Sequence, residues 1–529
     1  MFKIPLTITM VCLSFCTFAQ STSELQKHRI FDWDKAGLIE GIPLHKKSNI
    51  FNINDFHRND STYDKAFVAA LNSKDPDLIQ IIYFPAGEYK FSKPINLISN
   101  TVLRGDGSEN THLIFNFSKE KGNVITFSGK SKKTLTYNSS LSKGISEIEL
   151  NENIESYSNC DVVEIYQGKN EWGKSSSGKE KQYQVGQLLS VKKINANNVS
   201  LIQPIKLNYK DKDKWGEPIN IRLIESVSNS GIENLSIQRT DKPPRNGGNI
   251  VSFNFAKNCW ISGVESIMGA NNHISVSHSL NIEIRGSYFN NAFDTGGGGN
   301  GYGIVVGGNA SDCLFEDNIF AELRHAMIIA SGANGNVFGY NASFYKPILN
   351  IDEASISVHG HYPYMNLFEG NYVEYINVDY VWGANGEYNT FLRNYVYHTG
   401  VFGLFRNQEL QVERGNDKTN IIGNLANIYA RGNDNFILKN MTIDKLNTSM
   451  FLETFSFYYD EKPKFISDDI SWPCFGLKTS EDGEMISNTI PAVMRFKSGL
   501  KTVPAKALLD EVYDKPKTKT LIDLKSSKN

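Results

Sequence analysis

The chain has 529 residues and a formal net charge of -2, with 55 basic and 57 acidic side chains. That balance excludes a global field of the kind that draws a protein to nucleic acid, so an anionic ligand has to be met by local basic groups. Past the first nineteen residues only Cys160, Cys259, Cys313 and Cys474 remain, widely spaced and without a C-x-x-C, which argues against a disulfide scaffold or a zinc site.

Residues 1–19 read as a secretory signal, with Lys3 ahead of an apolar core and small Thr17 and Ala19 before a cleavage point at Gln20. Export to the periplasm or beyond the cell is therefore expected. Bulky Phe15 disfavours lipid attachment at Cys16. No later segment approaches the roughly 18 apolar residues of a membrane span.

Residues 20–129 open with a helix pattern within Asn52 to Asn72, carrying apolar Ala66, Phe67, Ala69, Ala70 and Leu71. Strand-like runs follow from Ile81 to Gly107, broken by Pro-Ala-Gly and Gly-Asp-Gly turns. Residues 130–225 hold β-rich runs and charged turns and read as an excursion. Residues 226–434 then repeat. Aligning "NSGIENL", "NCWISGV", "NIEIRGS", "DCLFEDN", "NVFGYN", "NLFEGN", "NTFLRN" and "NIIGN" puts apolar anchors at Ile232, Ile261, Ile284, Phe315, Phe338, Phe368, Phe391 and Ile421. The spacings are 29, 23, 31, 23, 30, 23 and 30 residues, a period of 23 that alternates with a lengthened one. One such unit cannot bury its own apolar face, so the units must stack as the coils of a parallel β-helix. Asn318, Asn341, Asn371, Asn394 and Asn424 each lie three residues past an anchor and are expected to form a hydrogen-bonded column. Residues 435–529 lose the repeat. They are expected to pack on the solenoid through "SWPCFG" and "IPAVMRF" and to end in a charged tail from Asp514.

The Asp-Phe start, the capping helix, the "YFPAGEY" strand and the "LRGDG" turn, with the coils that follow, resemble the pectate-lyase-like superfamily of right-handed parallel β-helices. The resemblance covers roughly residues 50 to 430 and implies an all-β solenoid acting on carbohydrate, typically an acidic polysaccharide or oligosaccharide, by β-elimination or by hydrolysis.

Counted from the anchors, Asn271, Asp294 and His325 each lie ten residues on, and are expected to line one edge as a column. The lengthened coils would bring to that edge a Gly-rich loop after Asp294, the "HGHYPY" loop with His359, His361, Tyr362 and Tyr364, and a loop carrying His398 and Arg406. Trp382 is placed to stack on a sugar ring. Elimination at a uronate needs a group for the carboxylate, a base for the neighbouring ring proton and an acid at the leaving oxygen. Arg324 and Arg393 suit the first role, His325, His359 or His361 the second, and Tyr362 or Tyr364 the third. The leaving group is either the glycosidic oxygen, as in a polysaccharide lyase, or water, as in an oligosaccharide dehydratase.

A polygalacturonase-like hydrolase would need paired carboxylates, which the coils do not display: Asp294 is isolated, and Asp352 and Glu353 are adjacent and so point to opposite faces of a strand. Isomerisation, or glycan binding without catalysis, is the remaining alternative. No Asp cluster supports calcium, and no other cofactor is expected. The chain is expected to be a monomer.

Overall fold

A computed structural model describes residues 29–43, 49–73, 75, 77–168, 184–213, 215–296, 298–344, 354–397, 409–438, 452–480 and 483–505. The signal segment, His398, Arg406 and the tail from Asp514 lie outside these residues.

Each full turn of the chain lays down three short strands, one in each of three parallel sheets. Among the described residues sheet A has twelve strands, from Asn49–Asn52 to Phe436–Leu438; sheet B has nine, from Gly87–Phe91 to Tyr395–Val396; sheet C has ten, from Ile95–Leu97 to Ile428–Ala430. This is a parallel β-helix. The helix Asp64–Asn72 sits at its N-terminal end and buries Ala66, Phe67 and Ala70 against the first coils.

The sequence repeat is the register of sheet A. Ile232 pairs with Ile261, Ile261 with Ile284, Ile284 with Phe315, and the pairing continues through Phe338, Phe368 and Phe391 to Ile421. The anchors point inward, and the rings of Phe315, Phe338, Phe368 and Phe391 stack at centroid distances of 4.6, 5.0 and 4.8 Å. Those distances match the strand spacing of about 4.8 Å, so each ring lies flat on the next. Full burial of each contributes roughly 2–3 kcal/mol.

Two residues past every anchor the backbone turns left-handed: Asn234, Gly263, Gly286, Asp317, Tyr340, Gly370, Arg393 and Gly423 have φ between +51° and +65°. Glycine and asparagine suit that conformation, which accounts for the Gly-Asn and Asp-Asn pairs in the repeat. The next residue is the expected asparagine column. Nδ2 of Asn318, Asn341, Asn371 and Asn394 donates to Oδ1 of the following asparagine at 3.0, 3.0, 2.9 and 2.8 Å, ending at Asn424. A second ladder, Asn336 to Asn366 to Asn389, marks the corner between sheets C and A.

Three covers close the outside of the solenoid. The N-terminal segment crosses the edge of sheet A: the Trp33 indole donates to the Met365 carbonyl, the Gly37 amide to that of Asp312, and the Leu38 amide to Glu283. The C-terminal segment packs over sheets A and B, with Tyr458, Tyr459, Phe475 and Ile490 in one apolar cluster with Leu314, Ile319, Val337 and Leu367. Its helix Pro491–Ser498 is held by Arg495, which donates to both Asp317 oxygens. The third cover is the excursion. Its strands Lys130–Tyr137 to Ile219–Glu225 form a six-stranded antiparallel sheet with its own core, while the flanking coil strands pair directly across it, Ile125 with Val251 and Val102 with Gly231. It is an insertion in one corner between sheets C and A. It docks there through Glu164 on Asn309, the Leu188 amide on Ser311 and Lys206 on Asn334.

Asn371→Ala should be strongly destabilising. Asn371 accepts from the Asn341 amide and Nδ2 and donates to Phe338 O and Asn394 Oδ1, so truncation strands buried partners above and below. Chemical denaturation should show a loss of about 2–3 kcal/mol or more; a loss under about 0.5 kcal/mol would make the ladder ornamental.

Candidate functional site

The outer face of sheet C differs from the two covered sheets. Its strands alternate, with Ile304, Met327, Ile356, Ile376 and Leu410 in the core and Val305, Ile328, Ser357, Asn377 and Gln411 on the outside. One residue past the last paired position, the outward row runs through Ala330, His359, Asp379 and Glu413, whose amides donate to Val306, Ile329, Val358 and Val378 of the coil before. The result is a polar face with a histidine–carboxylate pair at its centre.

His359 Nδ1 donates to Asp379 Oδ2 at 2.6 Å, and His359 Nε2 accepts the Trp382 indole N–H at 2.8 Å. Asp379 is almost fully buried, its carboxylate also accepting from the Val381 amide at 3.0 Å. Asn385 fixes the loop behind the pair, accepting from the Gly360 amide and donating to the Asp379 carbonyl. His359 is thus oriented by a buried carboxylate and capped by an indole.

His325 stands at the corner between sheets B and C. Its Nδ1 is 2.7 Å from the Ala354 carbonyl, which only accepts, so Nδ1 carries the proton and Nε2 the lone pair. Burial pushes its pKa down to about 4, and the charges of Arg324 and His359 act in the same direction. His325 is therefore a neutral imidazole over the ordinary pH range, within electrostatic reach of His359, Arg324 and Asp379.

The expected column is shifted. The residues registered with His325 are Tyr302 and Asn272, not Asp294 and Asn271. The extra residues of that coil precede the sheet C strand, so counting from the anchor lands in the loop. Asp294 caps it, accepting from the Gly296 amide at 2.9 Å. Asn271 lies just before its strand, its amide donating to Gly248. The Tyr302 ring lies 5.1 Å from the His325 ring, and its hydroxyl accepts the Gly299 amide at 2.7 Å.

The "HGHYPY" loop is divided by the corner it turns. His359 stays on the polar face. His361 is buried with its ring 5.9 Å from that of Trp382. Tyr362 and Tyr364 pack under the excursion with Val185 and Tyr388, and the Tyr364 hydroxyl donates to the Gly186 carbonyl at 3.0 Å. Burial raises the Tyr364 pKa well above the usual phenol value. Neither tyrosine is brought to His325. Arg393 is also elsewhere: it occupies the left-handed turn after its anchor, and its guanidinium donates to the carbonyls of Leu452, Thr454, Phe475 and Leu477. It is a clasp for the C-terminal segment. Arg324, in contrast, adjoins His325, and its amide donates to Gly301.

Asp379 and Tyr302 are the site residues that sequence reasoning missed. A signal for Asp379 existed: "ISVHG" and "INVDY" share an apolar–polar–apolar strand, and aligning those strands instead of the anchors pairs His359 with Asp379. Among the described residues no group of His, Cys, Asp and Glu is arranged to hold a metal ion, and no helix is long and apolar enough to cross a membrane.

A parallel β-helix with two sheets covered and one polar, histidine-bearing face defines the class. Residues 50–243 match the family described as "Rhamnogalacturonase A/epimerase, pectate lyase-like". The matched family is a carbohydrate-active one. Solved structures of similar shape include the tailspike gp61 of Pseudomonas phage phi297, at 15% identity and a TM-score of 0.54 over 72% of this chain. The alignment spans 64% of that tailspike. Looser likenesses are the A-module of the mannuronan C-5 epimerase AlgE6 of Azotobacter vinelandii (13% identity, TM-score 0.38, 71% of this chain and 75% of that one) and the Gp54 tailspike of Acinetobacter baumannii bacteriophage AP22, solved with a capsular saccharide (12%, 0.34, 76% and 79%). No curated protein sequence matches the chain.

The protonation state of His325 is directly measurable. Its imidazole signals in an NMR titration should hold their neutral shifts down to about pH 5, with a midpoint near 4; a midpoint near 6.5 would contradict the burial argument. The unfolded chain protonates first, at about 6.5, so this group's full stability is present above that pH and falls as pH drops toward 4. His273, also buried with a pKa near 4, adds to the same loss. His325→Gln should narrow the stability difference between pH 7 and pH 5 without abolishing it.

Proposed function

We propose that the protein is a carbon–oxygen lyase that acts by β-elimination on a uronate-containing poly- or oligosaccharide and leaves a 4,5-unsaturated uronate. The observation that carries this reading is His325: a neutral imidazole whose Nδ1 proton is held by a carbonyl, so that Nε2 is the basic atom, within electrostatic reach of Arg324. In the proposed reaction Arg324 offsets the uronate carboxylate and so acidifies the neighbouring C5 proton, which His325 Nε2 removes. The electron pair moves into the C4–C5 double bond as the C4–O bond breaks. Tyr302 gives its proton to the departing oxygen, its phenol being held on the far side by Gly299. Trp382, its indole N–H held by His359 and that histidine by Asp379, offers its ring face to a sugar. The leaving oxygen belongs either to a glycosidic bond or to a terminal hydroxyl that departs as water. Export of the mature chain, proposed from the apolar opening of the sequence, would place it where such polymers are met.

A second reading rests on one observation. Asp379 and Glu413 occupy equivalent positions in consecutive coils, so their backbones are about one strand spacing apart, near the separation used by retaining glycosidases. Both are engaged by protein donors, Glu413 by the Tyr380 amide at 3.1 Å, which favours elimination.

Ultraviolet absorbance and product masses, followed together on uronate oligosaccharides, separate the readings. Elimination raises absorbance because the new double bond conjugates with the carboxylate. Fragments summing to the parent identify a lyase, and an intact parent minus one water identifies a dehydratase. Fragments summing to parent plus water, without absorbance, would overturn elimination in favour of the carboxylate pair. His325→Ala should lower turnover by about 10² to 10⁴ with the fold intact. Asp379→Asn should also lower it, by roughly tenfold or more, because an amide in that place can no longer hold the Nδ1 proton as a carboxylate does.

A further inference from the structure

A second cluster of chemically active side chains lies three coils N-terminal to His359, where the excursion meets the solenoid. Glu164 of the excursion is fully buried, and its Oε1 lies 2.8 Å from His278 Nδ1, while Asn309 Nδ2 and Arg222 NH1 hold the same carboxylate at 2.8 Å each. Burial alone would raise the Glu164 pKa, but His278 and Arg222 outweigh it and hold the carboxyl ionised. With Nδ1 donating to Glu164, His278 Nε2 is the atom left to act as a base, and the side chain is 30% exposed.

The residue before it is half-buried Ser277. Ser277 Oγ and His278 Nε2 converge on one spot above Gly308: a Cβ on Gly308 would lie 2.3 Å from the first and 3.1 Å from the second. Gly308 has φ +52°, so the turn favours glycine in any case, and the absence of a side chain keeps the space between hydroxyl and imidazole open. A hydroxyl, an imidazole and a buried carboxylate bound to the far nitrogen of that imidazole are the parts of an acyl-transfer site.

We propose that Ser277, His278 and Glu164 form a second catalytic site, which hydrolyses ester substituents on the carbohydrate. Ser277 Oγ attacks the ester carbonyl carbon and its proton passes to His278 Nε2. The carbon–oxygen bond to the alcohol breaks, and the departing oxygen takes that proton from His278. Water, deprotonated by the same nitrogen, then attacks the acyl-serine and releases the carboxylic acid, restoring Ser277. Glu164 touches no reacting atom and is the positioning residue. The placement suits a polymer: Ser277 pairs with Gly307 in the outward row of sheet C that continues through Ala330 to His359. Three strand spacings, about 14 Å, separate the two sites along one face. Ester groups block access to uronate polymers, so a site that removes them beside the eliminating histidine has a chemical use.

The activity is independent of the elimination, and its readout is different. The mature protein is incubated with p-nitrophenyl acetate and with an O-acetylated uronate oligosaccharide, and acetate is measured. In parallel, a fluorophosphonate is used to label the protein and the modified peptide is identified by mass. The expected result is acetate release and a label on Ser277, with Ser277→Ala losing the label and at least about 100-fold of the rate. Ser277 makes none of the contacts that dock the excursion, so this variant tests chemistry and not folding. Absence of both label and acetate, or a rate unchanged in Ser277→Ala, would overturn the proposal and leave Glu164 and His278 as a docking contact, whatever the outcome of the absorbance assay.

Discussion

Every other feature of this molecule depends on the register between coils. The left-handed residue two past each anchor and the asparagine after it turn the chain from sheet A into sheet B at one fixed point per coil. Each asparagine amide is satisfied only if the next coil presents its own at the same height. A slip of one residue would break every link of that ladder and turn the stacked phenylalanines outward. Because sheet A is locked in this way, loops at the other corners vary in length without disturbing the stack. That freedom is what permits an insertion of nearly a hundred residues in one corner and lengthened loops at another.

Given a locked stack, the location of the candidate site follows from what is covered. A β-helix exposes three outer faces, and apolar residues on a face demand a partner. Sheets A and B carry Leu314, Ile319, Val337, Ala342 and Leu367 outward, and the two terminal segments bury them. The corner between sheets C and A takes the excursion. Sheet C, with Ser357, Asn377, His359 and Asp379 outward, makes less of a demand, and both Ser357 and His359 hydrogen-bond to Asp379. Carboxylates occur on sheet A too, but there they serve closure: burial raises the Glu316 pKa to about 7, against the pull of Arg285 and of the Tyr459 hydroxyl that contacts it.

The same division explains what the sequence made legible. Anchors and ladder could be read because they lie on the invariant part of each coil, where spacing is fixed by stacking. The site lies on the variable part. Between Phe368 and Phe391 the anchors are 23 residues apart, but Val358 pairs with Val378 only 20 residues on, since the corner from Val378 to Phe391 is three residues longer than the one from Val358 to Phe368. Counting from anchors therefore found His325 and His359, whose loops drew attention on composition, but put Asp294 and Asn271 where Tyr302 and Asn272 stand and passed over Asp379. Tyr362, Tyr364 and Arg393 were misread for a different reason. Residue type suggested chemistry, whereas their surroundings, an inserted sheet and a C-terminal clasp, come from segments far away in the chain.

Coil-by-coil placement also constrains how the face can work. Histidines in neighbouring coils are held by groups of opposite character: His325 by a neutral carbonyl, His359 by a buried carboxylate. The Ala354 carbonyl fixes the tautomer and by itself favours the charged ring, but burial outweighs it and keeps the His325 imidazole neutral. His359 has both ring nitrogens engaged, Nδ1 donating to the Asp379 carboxylate and Nε2 accepting the Trp382 indole N–H. Two imidazoles of identical residue type thus differ through the groups that hold them. Those partners, Ala354 and Asp379, are placed by the variable corners, and the rigid stack supplies the fixed distance between them.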